Sequence, residues 1–539
     1  MRTVSSCSFC RSRKKRCIPS AAGVACRLCT FKGLECDAPT TVHKSPDIPR
    51  PLTRIAPLSQ SSVSASEAED ISQIVDSTLR DEALCEELMD IYFRLFRARS
   101  KEWPRGTIYT ISSLCAVSSV GSRAGPRQPS NIQRFSSNPA LDQVAPWSRG
   151  KPFLREAIKS FNERTKLISI EALQGCIILA FTAFVEGDVD QDALLSCQAV
   201  RMTQALQLPT VLSSDRLMRE IEINLYWQVW MMDCWTSVRS QLPQQLGNDP
   251  AFPRPIREDI FDRLLEDQID TESRETSLWT FILPLTQWHA QAVKLNYDIV
   301  HEPAFEFRIR NLVRDLARKL DHWVQSLPPT LRNTSENWGS YSDRGYGRPF
   351  AVMHIIYHHT SQLLFYQFLN KCVVSTDDAV VDAEALEYAE LCKAHATALS
   401  KLFWELNVAP DMDCLWSPVN SHLLVIASTI HLHTMLLGTG RPEAAEGKKL
   451  LEQNFIVLQE LQKYWPSTEL AFSRLQAFHN ACQMTSISKT FNMDQWMANF
   501  LNRYDISVED RELDLEVNGG AGGSNTTGDE LMTIVFSSN

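Results

Sequence analysis

Residues 7–17 read CSFCRSRKKRC and residues 26–36 read CRLCTFKGLEC, so one cysteine spacing, C-x2-C-x6-C, occurs twice with eight residues between the copies. Each copy is half of a metal site. C-x2-C brings two thiolates to one side of a turn or helix start, and the x6 segment allows the chain to return with a third. Three ligands leave a tetrahedral zinc ion open. Two copies supply six thiolates, and two tetrahedral ions need eight ligand positions, a sum met if two of the sulfurs bridge both metals. The candidate ligands are Cys7, Cys10, Cys17, Cys26, Cys29 and Cys36, and the implied cofactor is a pair of Zn2+ ions. Two other arrangements use the same sulfurs: four thiolates on a single zinc with two thiols left over, or six scattered structural thiols. Recurrence of both intervals is what chance placement does not supply.

Charge is divided along the chain as sharply as the cysteines are. The formal net charge is -10, yet residues 1–36 hold eight cations against Glu35 alone, a local +7 that leaves -17 on residues 37–539. Such asymmetry directs the basic head toward a polyanion. Arg11, Arg13, Lys14, Lys15 and Arg16 stand between the second and third cysteines of the first copy, and Lys32 occupies the same interval in the second. Two Zn2+ ions and six thiolates sum to a formal -2, which these cations reverse. Lys and Arg suit the O6 and N7 acceptors of guanine, and a guanidinium can engage both at once. In isolation RSRKKR also reads as a solvated charge run or a nuclear import signal; enclosed by metal ligands, it reads as a DNA-contacting edge.

The two motifs together resemble the fungal binuclear zinc cluster, the Zn2Cys6 DNA-binding module, over residues 7–36. The resemblance implies that Cys7 and Cys26 bridge the metals while Cys10, Cys17, Cys29 and Cys36 each bind one. It also implies that Lys14, and with it Arg13, reads a CGG-like triplet, and that Arg11, Lys15, Arg16 and Lys32 hold phosphates or shield the cluster. The family often carries a proline two residues before its fourth cysteine; Val24 stands there, and Pro19 lies early in the loop. The expected function is that of a zinc-dependent, sequence-specific regulator of RNA polymerase II transcription in the nucleus. Its partners would be double-stranded DNA, a coactivator or corepressor and a small-molecule effector. A protein-interaction or repressor scaffold with nonspecific DNA contact is the other reading the residues allow.

The fold class expected from the rest is mainly α: a small zinc-cluster domain at 1–40, a flexible linker at 41–69, a large all-α regulatory domain at 70–503 and an acidic, partly disordered tail at 504–539. Residues 37 to about 68 are rich in Pro, Ser and Thr and poor in large apolar side chains, the composition of a linker. A dimerising coiled coil is not visible after it, because Ile71 and Ile74 would be followed in the heptad by Thr78 and Asp81. Apolar residues recur at intervals of three and four in residues 81–98, 169–187, 215–238, 350–371 and 455–465, which predicts helices there. REIEINLYWQVWMMDCWTSV, followed by NDPAFPRP at 248–255, resembles the middle homology region that accompanies the fungal cluster, with Trp227, Trp230 and Asp233 in the expected order; Cys234 departs from it, since an arginine commonly follows that aspartate. The tryptophans are expected to pack helices, with an effector pocket nearby as the alternative. In the tail, DISVEDRELDLE at 505–516 interleaves acids with apolar residues, a pattern shared by coactivator-binding segments and by solvated helix ends.

No enzyme motif emerges. P-loop, GxSxG and paired-glycine fingerprints are missing. His354 and His358 have the i, i+4 spacing of a helical metal pair, but HIIYH lacks the glutamate of HExxH, and packing on a helix face accounts for them. The N-terminal region shows cysteines and arginines where a secretory signal needs an apolar run, so an intracellular location is expected. The apolar run CIILAFTAFV is about half of the roughly 20 residues that span a bilayer. The nine cysteines outside the cluster, among them Cys176 and Cys197, are expected to be small core residues.

Overall fold

The computed structural model describes residues 150–504 with short interruptions, together with Val508 and Arg511. Among these residues there are fourteen α-helices, three single 3-10 turns and no strand. The first group comprises α1 (Gly150–Arg164), α2 (Ile170–Val185), α3 (Val189–Ala205) and α4 (Arg216–Ser240). Local chemistry starts each of the last three. Ser169, Asp188 and Asp215 accept backbone N–H bonds from Ala172, Gln191 and Met218 at 3.2, 3.2 and 2.8 Å, which satisfies amides that the first helical turn leaves unpaired. Gly187 takes φ +77 between α2 and α3, a left-handed conformation that a glycine adopts without steric penalty. The chain reverses there, and the two helices pack along their lengths. Leu173, Leu179, Leu195, Val200, Tyr226 and Trp230 meet in the core of this group.

A short α5 (Glu258–Leu265) leads to α6 (Trp279–His301), α7 (Glu306–Ser326), α8 (Ser335–Asp343) and α9 (Gly347–Phe365). Helix α6 joins the two cores: Leu283 packs with the first group, while its neighbours Ile282 and Leu285 belong to the second. The remaining helices are α10 (Ala383–Val408), α11 (Val419–Leu437), α12 (Arg441–Gln462), α13 (Glu469–Met484) and α14 (Gln495–Asn502). Every residue of α11 from Asn420 to His433 is buried. A helix with no solvent face must be walled in on all sides, and α10, α12 and α13 contribute to that enclosure. Gly447 lets α12 approach closely, since a Cβ there would lie 3.3 Å from the His431 carbonyl oxygen. No described helix is long and apolar enough to cross a membrane.

Three of the sequence-predicted helices coincide with α2, α4 and α9, although α9 ends at Phe365 and passes into a 3-10 turn at Tyr366–Phe368. The predicted segment 455–465 is the second half of α12, whose first half is too charged to show an apolar repeat; Trp465 lies just beyond the helix. The segment 81–98 and the linker lie outside the described residues. Cys176, Cys234 and Cys392 are buried, as expected of small core residues, but Cys197 is exposed. The reason is register: Leu194, Cys197 and Arg201 share the outer face of α3, while Leu195, Ala199 and Met202 turn inward.

The chain stays on the body past the last helix. Arg474 of α13 is buried, donates to the carbonyls of Phe500 and Arg503, and lies 4.8 Å from the Phe500 ring centre. Tyr504, Val508 and Arg511, which the sequence places in the tail, all make body contacts: Tyr504 packs on Phe184 and His422, Val508 on the second core, and Arg511 pairs with Asp494 over the Trp496 ring.

Burial of histidine sets the pH behaviour of this core. Desolvation holds His289 and His431 down to about 3 and His433 to about 4, and it keeps His359 and His422 well below 6.5, with Arg474 beside His422, Lys401 beside His431, and Lys393 and Glu390 near His433. The folded chain therefore carries neutral imidazoles, whereas the unfolded chain takes up protons below about pH 6.5. Stability from these groups is complete above that pH and is lost as pH falls toward 4. Asp192 and Glu258, whose carboxyls are raised by burial, act in the opposite sense. Thermal unfolding followed by circular dichroism should show the midpoint falling steadily from pH 6.5 to 4.5, with net proton uptake on unfolding at pH 5. A flat midpoint across that range contradicts the assignment.

Candidate functional site

All twelve residues that the sequence assigns to zinc and DNA, the cysteines 7, 10, 17, 26, 29 and 36 and the cations Arg11, Arg13, Lys14, Lys15, Arg16 and Lys32, lie outside the described residues. Among the described residues, no group of three or more His, Cys, Asp or Glu is arranged to hold a metal ion. The chemistry that the helical body does display is concentrated on α4 and on the loop that follows it.

Ile223, Tyr226, Trp227, Trp230, Asp233 and Ser237 recur at helical spacing and are all buried on α4. Trp227 and Trp230 meet edge to face at 5.5 Å, and Phe252 returns from the loop to pack on Tyr226 and Trp227 at 4.3 and 5.9 Å. Polar groups of the same residues fasten the loop. The Tyr226 hydroxyl donates to the Gly247 carbonyl at 3.0 Å, and the Trp227 indole N–H donates to the Pro253 carbonyl at 2.8 Å. Arg254 lies 4.0 Å from the Trp227 ring centre, a cation–π contact. Asp233 receives the backbone N–H groups of Gln245 and Leu246, both at 2.7 Å, on one carboxylate oxygen and the Ser237 hydroxyl on the other at 3.2 Å. This is the role of the W…W…D order: the tryptophans pack, and the aspartate anchors the chain where it leaves α4. Cys234 adds a contact to the Thr286 carbonyl of α6 at 3.7 Å.

Beside this arrangement runs a buried ion pair. Asp192 of α3 and Arg239 of α4 approach to 2.7 Å with both side chains nearly sealed from solvent. Desolvation raises the Asp192 carboxyl, and the guanidinium and the Ser196 hydroxyl act against that rise. Arg239 also lies 5.9 Å from the ring centres of Phe184 and Tyr504, so one cation ties α3, α4, α2 and the chain after α14 together.

The loop anchored by Trp227 continues to Arg257, Glu258 and Asp259, which line a half-open cleft of about 360 Å3 with Phe281, Leu331, Tyr341, Arg344 and Tyr346. That volume falls in the range of small-molecule sites. Arg257 is paired with Asp259. Glu258 is raised by desolvation and accepts the Ser277 hydroxyl at 2.5 Å and the Leu278 N–H at 3.0 Å on one oxygen. Arg344 lies 4.4 Å from the Tyr341 ring centre. The cleft is thus adjacent to the tryptophan-bearing region without being lined by either tryptophan. Sequence reading did not find it, because its walls come from four separated stretches; the charged triplet at 257–259 was the one local sign.

His354 and His358 do not act together. His354 is buried against Phe350 and Trp338 at 4.8 and 6.2 Å, while His358 turns to the next helix and meets His395.

No protein-family model matches the chain. Over 266 residues it is 21% identical to an uncharacterized transcriptional regulatory protein of Schizosaccharomyces pombe, an alignment that takes in 43% of this chain. It covers 27% of that relative's length.

Replacing Asp233 with alanine leaves two backbone N–H groups, one of them buried, without their acceptor and should destabilise the body by about 2–3 kcal/mol in urea unfolding. Trp227→Phe keeps most of the ring packing, loses the bond to Pro253 and should lower stability by about 1 kcal/mol. Equal losses for the two would show that packing, not loop anchoring, dominates here.

Proposed function

We propose that the chain is a zinc-dependent, sequence-specific DNA-binding regulator of transcription that acts in the nucleus and recognises CGG-like triplets. The observation that carries this reading is the duplicated C-x2-C-x6-C spacing with RSRKKR enclosed in its first copy. Six thiols in two equal halves suit two tetrahedral Zn2+ ions in their donor chemistry. In this reading Cys7 and Cys26 bridge, Cys10, Cys17, Cys29 and Cys36 bind one ion each, and the metals fix the shape of a loop too short to fold alone. Lys14, with Arg13, meets guanine edges; Arg11, Lys15, Arg16 and Lys32 hold phosphates. The similarity to a transcriptional regulatory protein supports the transcriptional assignment.

The helical body would then serve as the regulatory part. Its cleft at Arg257–Asp259 is where a small effector would bind, and the residues after Arg511 are where a coactivator or corepressor would be met. The net negative charge of residues 37–539 keeps the body off the duplex, so that specificity rests with the head.

Two measurements test this. Purified protein should contain two zinc ions per chain, and a chelator should abolish DNA binding while the circular dichroism of the helical body persists. Selection from a random duplex pool should enrich a CGG-like triplet. Lys14→Ala should then relax triplet preference by about 1–3 kcal/mol, whereas Lys32→Ala should weaken all sequences alike and reduce the salt dependence. Recovery of no enriched triplet by a zinc-loaded protein favours the scaffold reading.

A further inference from the structure

His358 on α9 and His395 on α10 face each other across the interface of the two helices, Nδ1 to Nδ1, at 3.0 Å. At that distance one imidazole donates a proton through Nδ1 and the other accepts it. Both rings are half-buried. Burial favours their neutral forms, holding His358 to about 3 and His395 to about 4, and each proton taken up by one ring disfavours the next. Two neutral imidazoles whose donor atoms converge on one place are a donor set that borderline divalent metals take.

The spacing is that of neighbouring ligands on one ion. Metal–nitrogen bonds of about 2.1 Å meeting at a right angle place the nitrogens about 3.0 Å apart, and a tetrahedral angle places them about 3.4 Å apart. The rings are already restrained by their neighbours. Tyr357 packs edge to face against His358 and His395 at 5.0 and 5.4 Å and itself stacks on Trp323 at 5.1 Å, and Phe365 stacks on His395 at 6.3 Å. Such packing reduces the ordering that binding would otherwise require. With no third His, Cys, Asp or Glu converging there among the described residues, water would complete the coordination, entering where the partly buried rings meet solvent.

We propose that His358 and His395 form a two-histidine site for a late first-row divalent cation, Ni2+, Cu2+ or Zn2+, which binds both Nδ1 atoms as the proton between them moves to Nε2 of its own ring, and which pins α9 to α10. Nitrogen donors alone exclude Mg2+ and Ca2+, which take oxygen. The site goes beyond the DNA-binding reading and does not depend on it.

The test uses the full chain with all cysteines intact, loaded with two equivalents of zinc and freed of excess metal, so that any contribution of the cysteines is common to every variant and the histidine pair is empty before Ni2+ is added. Thermal unfolding of the helices is followed by circular dichroism as Ni2+ is added. At a hundredfold excess over its dissociation constant, Ni2+ should raise the midpoint of the parent chain by about 3–4 °C. His358→Ala and His395→Ala should each abolish the rise. His358→Gln and His395→Gln, which keep a polar side chain of similar size, guard against a loss of folding and should also abolish it. His301→Ala, at an exposed histidine at the end of α6, should keep it in full. An unchanged rise in the double glutamine variant, or no rise in the parent chain up to about 1 mM Ni2+, overturns the site.

Discussion

The body is organised around a helix that has no surface. From Asn420 to His433 every side chain of α11 is enclosed, and a fully enclosed helix has no polar face on which to place its Ser, Thr, Asn and His residues. Each must find a partner on a surrounding element. His431 meets the Ser400 hydroxyl of α10 at 2.8 Å, and Thr429 meets the Tyr366 hydroxyl at 3.0 Å. His433 reaches the Leu369 carbonyl at 3.2 Å, and Ser428 receives the Asn454 amide of α12 at 3.1 Å. Apolar contacts alone would allow α11 to slide or rotate among its neighbours. Four directional bonds to four separate positions do not, so the polar residues of α11 define the register of α10, α12 and the turn after α9. The same enclosure makes the imidazoles neutral, and it places His289, His359 and His422 in ring contact through the interior.

A second organising device is the fastening of irregular chain by buried charge. Asp233 anchors the loop after α4 through two backbone N–H groups, and Arg474 anchors the chain after α14 through two backbone carbonyls. Both residues are nearly sealed from solvent. Their logic is the same: a loop presents unpaired backbone groups, and one ionised side chain satisfies several of them at once. Arg511 repeats the pattern, bonding to the Thr490 carbonyl at 2.7 Å while it pairs with Asp494, which also caps α14 by accepting the Met497 N–H at 2.8 Å. The end of the body is thus defined by charged residues rather than by where the last helix stops.

That difference explains what the sequence discloses and what it does not. Helices α2, α4 and α9 are legible because apolar residues at three- and four-residue intervals persist for several turns. Helix α12 is half legible, since RPEAAEGKK at its start offers few apolar residues and relies on the packing of Leu450 and Leu451 further along. The tail boundary is not legible at all: DISVEDRELDLE has the composition of a solvated segment, and nothing in it announces that Arg511 will find Asp494 seventeen residues earlier. The histidine pair shows the same limit in sharper form. Spacing along one helix suggests His354 with His358, but His354 turns into the core and the donor that meets His358 comes from position 395. Periodicity reports which face a residue occupies; it does not report what the neighbouring helix brings to that face.

The two kinds of metal chemistry proposed for this chain differ in what binding does to the protein. A thiolate is a soft anionic donor, and six of them on two ions make binding part of the folding free energy of a short segment. An imidazole pair is neutral, borderline and completed by water, on helices that are already folded through their apolar faces. In the first kind of site, the proposed cluster, the ions would be part of the folded segment itself. The second exchanges its ion without unfolding anything, because α9 and α10 are held by Phe365, Phe403 and the rest of the second core whether or not a metal is present. Occupancy of the histidine pair would therefore track the free metal concentration, and its effect would be confined to the rigidity of the α9–α10 interface, at a distance in sequence from any residue assigned to DNA.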